Sequence, residues 1–350
     1  MCYICCVYGA ICNRLLYMTV SQIDIRENEI FERSPELLST LLKDQTLSTD
    51  DCQVNVFWAT DNYADLGEGY QYEDKITIEA ITGKNGGVIK PRAAKSREKQ
   101  QQRIREMAEV FTPSWICNKQ NNLVDNSWFS RDNVFNTEID NPDKSHSWIP
   151  TVGKIIFPEG KTWRDYVNSN RLEITCGEAP YLVSRYDTVT GEPIPIERRI
   201  GLLDRKLRIV GENTETSEEW LKAAQAAYMS IYGYEWQGDN LVLARESLLY
   251  TFIDYYKAKF GHEPQLKSLQ YIAEIVSWNI WQMDGLKGVV PRSCHNVQTI
   301  NKDLFDTSEK IQECEGCQKG NIHKHNGIYC KIKDWKEDKI LTFVSLIKKK

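Results

Sequence analysis

Apolar positions first recur at helical spacing at Leu37, Leu38, Leu41 and Leu42, just after Ser34-Pro35, and predict a short helix. Val54-Asn-Val-Phe-Trp-Ala59 predicts a strand, and Ile76 to Ile81 alternates like a second one before the turn cluster Gly83 to Gly87. Lys95 to Glu109 predicts a helix that Phe111-Thr-Pro113 breaks, and Ser114 stands as the cap of a new helix through Trp115, Ile116 and Leu123. Residues 130–160 are polar and read as loop.

From Arg171 the pattern changes. Leu172-Glu-Ile-Thr predicts a short buried strand, Cys176-Gly-Glu-Ala-Pro180 a turn, and Tyr181 to Tyr186 the opening of a helix. Helices follow over Trp220 to Met229 and Asn240 to Lys259, with strands at Ile231 to Trp236 and Asn279 to Asp284. Ile272 to Val276 reads as a helix or a strand end. This alternation predicts an α/β fold, a parallel sheet with helices on both faces. The tail from Cys294 is rich in Cys, His and Lys and ends in a β-pattern at Ile340 to Ile347. We expect three regions: an N-terminal α+β region of unknown role over 1–105, an α/β domain over 106–293, and the tail over 294–350.

Composition narrows the class. With 41% hydrophobic and 27% charged residues the chain is an ordinary globular one. The net charge of −5 supplies no overall attraction to nucleic acid, so any such surface is local. The best candidate is Lys90 to Arg105, with seven basic residues and Glu98 as its one acid, which reads equally as a solvated helix face. Eleven cysteines, four of them in the first dozen residues, do not form a disulfide framework in a chain with so many core residues. The apolar stretch Met1 to Val20 lacks a basic start, is interrupted by Arg14, and is too short and broken for a membrane span; Met18 is an alternative start. We expect a soluble, cytoplasmic protein.

A nucleoside ligand of an α/β sheet binds beyond the carboxyl ends of the strands. It needs a tight turn, an acid for the ribose hydroxyls, and a group that reads the adenine edge. Gly177 and Ala179 supply the turn, Glu235 the acid, and Asp284 an acceptor for the adenine amine. Trp236 stands as an adenine neighbour, while the other tryptophans read as core or interface. Cys176 reads as a small buried hydrophobe and not as a nucleophile.

Here the chain resembles a family. Residues 106–290 look like the N6-adenine DNA methyltransferases of restriction-modification systems. Phe111-Thr112-Pro113 resembles that family's Phe/Thr-Pro element, which packs on the methionine end of S-adenosylmethionine. Glu173 to Leu182 resembles its Asp-Pro-x-Cys-Gly-x-Gly-x-Phe-Leu cofactor loop, with Glu173, Cys176, Gly177, Ala179 and Tyr181 at the matching positions. Ile231 to Trp236 resembles the ribose-binding strand, and Asn279 to Leu286 the adenine-contacting one. The likeness extends over nearly the whole chain to proteins labelled restriction endonuclease subunit M. It implies a Rossmann-like sheet, S-adenosylmethionine as cofactor, and double-stranded DNA as partner. Ala179 and Pro180 depart from the pattern, and the stretch before Glu235 holds an insertion around Gly201 to Val210.

The family flips its target adenine into a loop of the form Asn/Asp-Pro-Pro-Tyr/Phe. That tetrapeptide is absent; Asn141-Pro-Asp-Lys144 is a plain turn. If Ile340 to Ile347 is the next strand of the sheet, the loop would begin where the sequence stops. The readings are a truncated frame, a second polypeptide that completes the site or carries a nuclease, or a non-catalytic DNA- or partner-binding subunit. A nicotinamide oxidoreductase is disfavoured by the lack of Gly-x-Gly-x-x-Gly. In the tail, Cys314, Cys317, His325 and Cys330 have spacing suited to a structural zinc site, with His323, Cys294 and His295 nearby; a loop of free thiols is the alternative.

Overall fold

The computed structural model describes residues 27–107, 109, 112–303 and 306–348; Phe111 and the stretch Met1 to Val20 lie outside the described residues. The protein is mixed α/β, with many helices and several small sheets. Two helices open it, α1 (Glu27–Arg33) and α2 (Pro35–Leu42). The Ser34 side chain accepts from the Leu37 amide, and Pro35 fills the first turn, where a missing N–H matters least. All four leucines of the stripe are fully buried.

The next segment differs from expectation. Residues 54–59 make only isolated bridges, Lys43 with Asn55 and Phe57 with Lys75, and the alternation at Ile76 to Ile81 is not a strand. Thr77 accepts from the Ala80 amide and starts α3 (Ile78–Ile81). A capping threonine overrides a short period-two pattern. Then α4 (Arg97–Met107) and α5 (Ser114–Phe129) form as expected, although Pro113, not Ser114, holds the cap position of α5. The Ser114 amide donates to the Asp187 carboxylate at 2.7 Å. Within 130–160 lies a hairpin, β1 (Asn136–Asp140) with β2 (His146–Pro150), turned by residues 141–145.

After α6 (Trp163–Val167) comes β3 (Arg171–Glu173). Two crossovers follow. α7 (Leu202–Asn213) and α8 (Ser217–Met229) lead to β4 (Ile231–Glu235); α9 (Gly238–Phe260) and α10 (Leu266–Asn279) lead to β5 (Ile280–Gln282). These strands form one parallel sheet in the order β3-β4-β5, with Glu173 beside Gly233 and Glu235 beside Gln282. Parallel neighbours need such long connections, and helices provide them. Ile231 and Ile280 enter a large core with α7 to α10, which α2 and residues 56–89 share. The opposite face carries Tyr234 and Trp281 into a second core with Phe57, Tyr72, Cys330 and Ile332. Helices therefore cover one face, and extended chain covers the other.

Tyr181 to Tyr186 forms turns, not the expected helix. Its backbone groups are taken elsewhere. Glu173 accepts from the Tyr181 and Leu182 amides, Asp204 accepts from Ser184, and the Tyr181 and Leu182 carbonyls accept from the first amides of α7.

The C-terminal region holds a two-stranded ribbon, β6 (Val297–Asp303) with β7 (Asp306–Gln312), then α11 (Glu315–Lys319). β8 (Lys331–Asp334) pairs antiparallel with β9 (Lys339–Thr342). The β-pattern at Ile340 to Ile347 thus belongs to a separate sheet and is not the next parallel strand. Its apolar residues Leu341 and Phe343 pack instead on the Tyr234 and Trp281 face, so it does not position a catalytic loop. No helix among the described residues is long and apolar enough to cross a membrane.

Three consecutive charged residues of α7 are buried: Asp204, Arg205 and Lys206. Asp204 accepts from the Ser184 amide and hydroxyl and from the Gly201 amide. Arg205 donates to Asp125 at 2.6 Å and to Asn118 and Asn122. Lys206 donates to the Val167 and Ser169 carbonyls and to the Ser230 hydroxyl. Arg205→Leu removes the closer of two cations from the buried Asp125 carboxylate, leaving Arg171 at 3.7 Å, and takes a donor from Asn118 and Asn122 as well; it is expected to cost about 3 kcal/mol in urea unfolding. A loss below about 1 kcal/mol, as for an exposed pair, would show that the interaction is not a buried one.

Candidate ligand cleft and metal centre

β3 and β4 end in acids, Glu173 and Glu235, at the same end of the sheet. The chain leaves β3 through a turn in which Thr175, Gly177 and Ala179 have φ of 48°, 54° and 61°. Glycine adopts this region freely, while Thr175 and Ala179 are held there at roughly 1–2 kcal/mol each. The holding groups are identifiable. The Cys176 amide donates to the Tyr234 carbonyl at 2.8 Å, and the Gly177 amide to Glu235 at 2.9 Å. The other Glu235 oxygen accepts from Gln237 at 3.1 Å. Glu173 takes the Tyr181 and Leu182 amides at 3.3 and 3.2 Å.

Both acids are buried, 8% and 7% exposed. Burial pushes the Glu173 carboxyl well above its usual range, with Glu235 adding to the rise. Burial also raises Glu235, with Asp239 adding. Among the described residues neither has an ion-pair partner. They border a cavity of about 810 Å³. Ile174 to Gly177, Trp236, Gln237 and Asn240 line it, as do Thr112, Pro180 and Tyr181. Arg105, Glu106 and Glu109 complete the lining.

α4 is locked beside this cleft by Arg103. Its guanidinium pairs with Asp239 at 2.9 Å and with Glu109, and donates to Gln237 at 2.9 Å. Lys95 lies 3.6 Å from Asp239. Burial works against ionisation of Asp239, but Arg103 and Lys95 outweigh it and hold the carboxyl well below the usual range. The basic run is therefore divided. Arg103 is spent inside, and Lys95 is turned to Asp239, while Lys90, Arg97, Lys99 and Arg105 are exposed.

Of the residues singled out in the sequence, Thr112, Glu173, Cys176, Gly177, Tyr181, Glu235 and Trp236 meet at this one cavity. Burial pushes the Cys176 thiol well up, which keeps it neutral. Ala179 is fully buried behind the turn, Pro113 caps α5, and Phe111 lies outside the described residues. Asp284 is not at the cleft. It caps its own turn, accepting from the Leu286 and Lys287 amides at 3.1 and 3.2 Å, with Lys287 at 3.4 Å. Gln237 and Asn240 were missed. Their signal was their position, immediately after the acid of a strand end and in the first turn of the next helix.

The tail brings Cys294, Cys314, Cys317 and His325 together, with ligand atoms all within 4.8 Å of one another, so the group can hold a metal ion. His325 Nδ1 lies 3.5, 3.6 and 3.6 Å from the three sulfurs. Cys330 is not a member, contrary to its spacing. It is fully buried in the second core, its thiol 3.4 Å from the Gln282 carbonyl.

No family model, curated protein or solved structure matches this chain.

Metal analysis of the purified protein should find one ion per chain. Cys294→Ser should lose it and Cys330→Ser should keep it; the reverse pattern would restore the ligand set read from sequence spacing.

Proposed function

We propose that the chain is the S-adenosylmethionine-binding module of a DNA adenine-N6 methyltransferase, on a Rossmann-like sheet. One observation carries the reading: two buried carboxylates without cation partners, at adjacent parallel strand ends, border one cavity. Burial opposes ionisation of both acids and a bound cation would restore it; an ionised carboxylate offers about four acceptor positions, and backbone amides take two on each of these. The remainder suit ribose hydroxyls and an ammonium group, both of which S-adenosylmethionine has, along with a sulfonium charge. A pyrophosphate there would meet two acids, which argues against a dinucleotide. Glu235, at the end of the second strand, is where such folds hold a ribose. Trp236 offers its ring to the adenine. The exposed cations Lys90, Arg97, Lys99 and Arg105 would face double-stranded DNA, a partner that fits a cytoplasmic location. The sequence has no Asn/Asp-Pro-Pro-aromatic element, so none of its residues is assigned to methyl transfer itself.

The metal of the tail is, in this reading, a structural zinc. Zinc about 2.3 Å from sulfur and about 2.0 Å from nitrogen in a tetrahedron places each sulfur about 3.5 Å from the nitrogen. That is the spacing of His325 Nδ1 from its three cysteines. Four protein ligands leave no open position for catalysis.

Calorimetric titration with S-adenosylhomocysteine tests the cofactor. Glu235→Gln should weaken binding about tenfold or more, the scale of losing hydrogen bonds to a charged acceptor. Asp284→Ala should leave affinity unchanged. A folded wild-type protein that does not bind would remove the cofactor reading.

A further inference from the structure

The metal group and the cleft are joined by a short chain of contacts. Cys294 lies just after Arg292, and this segment is zipped to the one that carries His325. Val290 donates to the Ile328 carbonyl at 2.8 Å, Cys330 to the Gly288 carbonyl at 3.0 Å, and Ile328 to the Ser293 hydroxyl at 3.0 Å. Arg292 has a φ of 56°, a conformation that a non-glycine residue keeps only where its surroundings impose it. Its guanidinium sits 3.6 Å from the centre of the Tyr72 ring. The Tyr72 hydroxyl accepts from the Trp236 indole N–H at 3.0 Å. Trp236 is half-buried and lines the cleft beside Glu235.

We propose that the metal centre sets the aromatic side of the cleft, with Arg292 and Tyr72 as positioning residues for Trp236. Metal bound to Cys294 fixes the backbone that presents Arg292. Arg292 holds the Tyr72 ring by a cation–π contact, and Tyr72 satisfies an indole N–H that would otherwise have to turn toward water. A ligand that stacks on Trp236 then binds more tightly to the metal-loaded protein, and by linkage the ligand tightens the metal by the same factor. This rests on the cofactor reading only for the identity of the ligand; the linkage itself has a readout without one.

The full chain is labelled with 5-fluorotryptophan, and the Trp236 fluorine resonance is assigned with Trp236→Phe. Zinc added back to chelated protein is expected to move that resonance. Arg292→Ala, which keeps all four metal ligands, is expected to leave it near the metal-free position even when loaded. S-adenosylhomocysteine should bind loaded Arg292→Ala about fivefold more weakly than loaded wild type, with Arg292→Lys close to wild type because it keeps a cation over the ring. A Trp236 resonance indifferent to both metal and Arg292→Ala overturns the linkage, as does a protein that takes up no metal. A resonance that moves in a protein that does not bind S-adenosylhomocysteine keeps the linkage and removes the cofactor reading.

Discussion

Asp204, Arg205 and Lys206 leave α7 at successive positions, about 100° apart around the helix axis, yet all are buried. Together they span about 200° of the helix, so the first turns of α7 are enclosed on most sides, and each charge must meet its partner indoors. The partners belong to different parts of the chain. Asp204 ties the segment that leaves the cleft turn, Arg205 ties α5, and Lys206 ties the approaches to β3 and β4. The sheet, its crossover and the wall near Thr112 are thereby set relative to one another by polar contacts as much as by apolar burial. Such contacts tolerate little displacement, since an orphaned buried charge costs far more than a lost surface pair.

The cleft depends on the same economy of buried charge. Glu173 and Glu235 hold a turn whose backbone would otherwise relax, and their burial leaves each short of positive charge. Shape and electrostatic demand thus come from the same two side chains. The turn is preorganised because the acids cap it, and burial without a neighbouring cation raises both carboxyls. A mutation at either acid acts on both, so affinity and local order should be read together.

Much of this was legible where burial imposes a period. The leucines of α2, the strands β3 to β5 and the helix α9 follow directly from apolar spacing, while α10 stayed open between helix and strand end. Glu235 was legible too, because position at a carboxyl end of a strand has a physical meaning, whereas Glu173 was marked only through the family resemblance. What failed was decided by partners distant in sequence. Tyr181 to Tyr186 has a helical pattern but loses its amides to Glu173 and Asp204. Asp284 looks like a strand-end ligand group until its own turn claims it. Cys330 is nearer to His325 in sequence than Cys294 is, but pairing of residues 288–293 with 328–330 brings Cys294 across and turns Cys330 inward.

The β6–β7 ribbon begins just after Cys294 and ends just before Cys314, so the metal group closes it at the root. The ends of this ribbon are held by two ligands of one group, whatever the length of chain between them. Doubling such a loop costs only about 0.6 kcal/mol in closure entropy. The span between the two ligands is therefore set at its ends by the metal group, so that a longer or shorter segment there would change the closure cost only slightly.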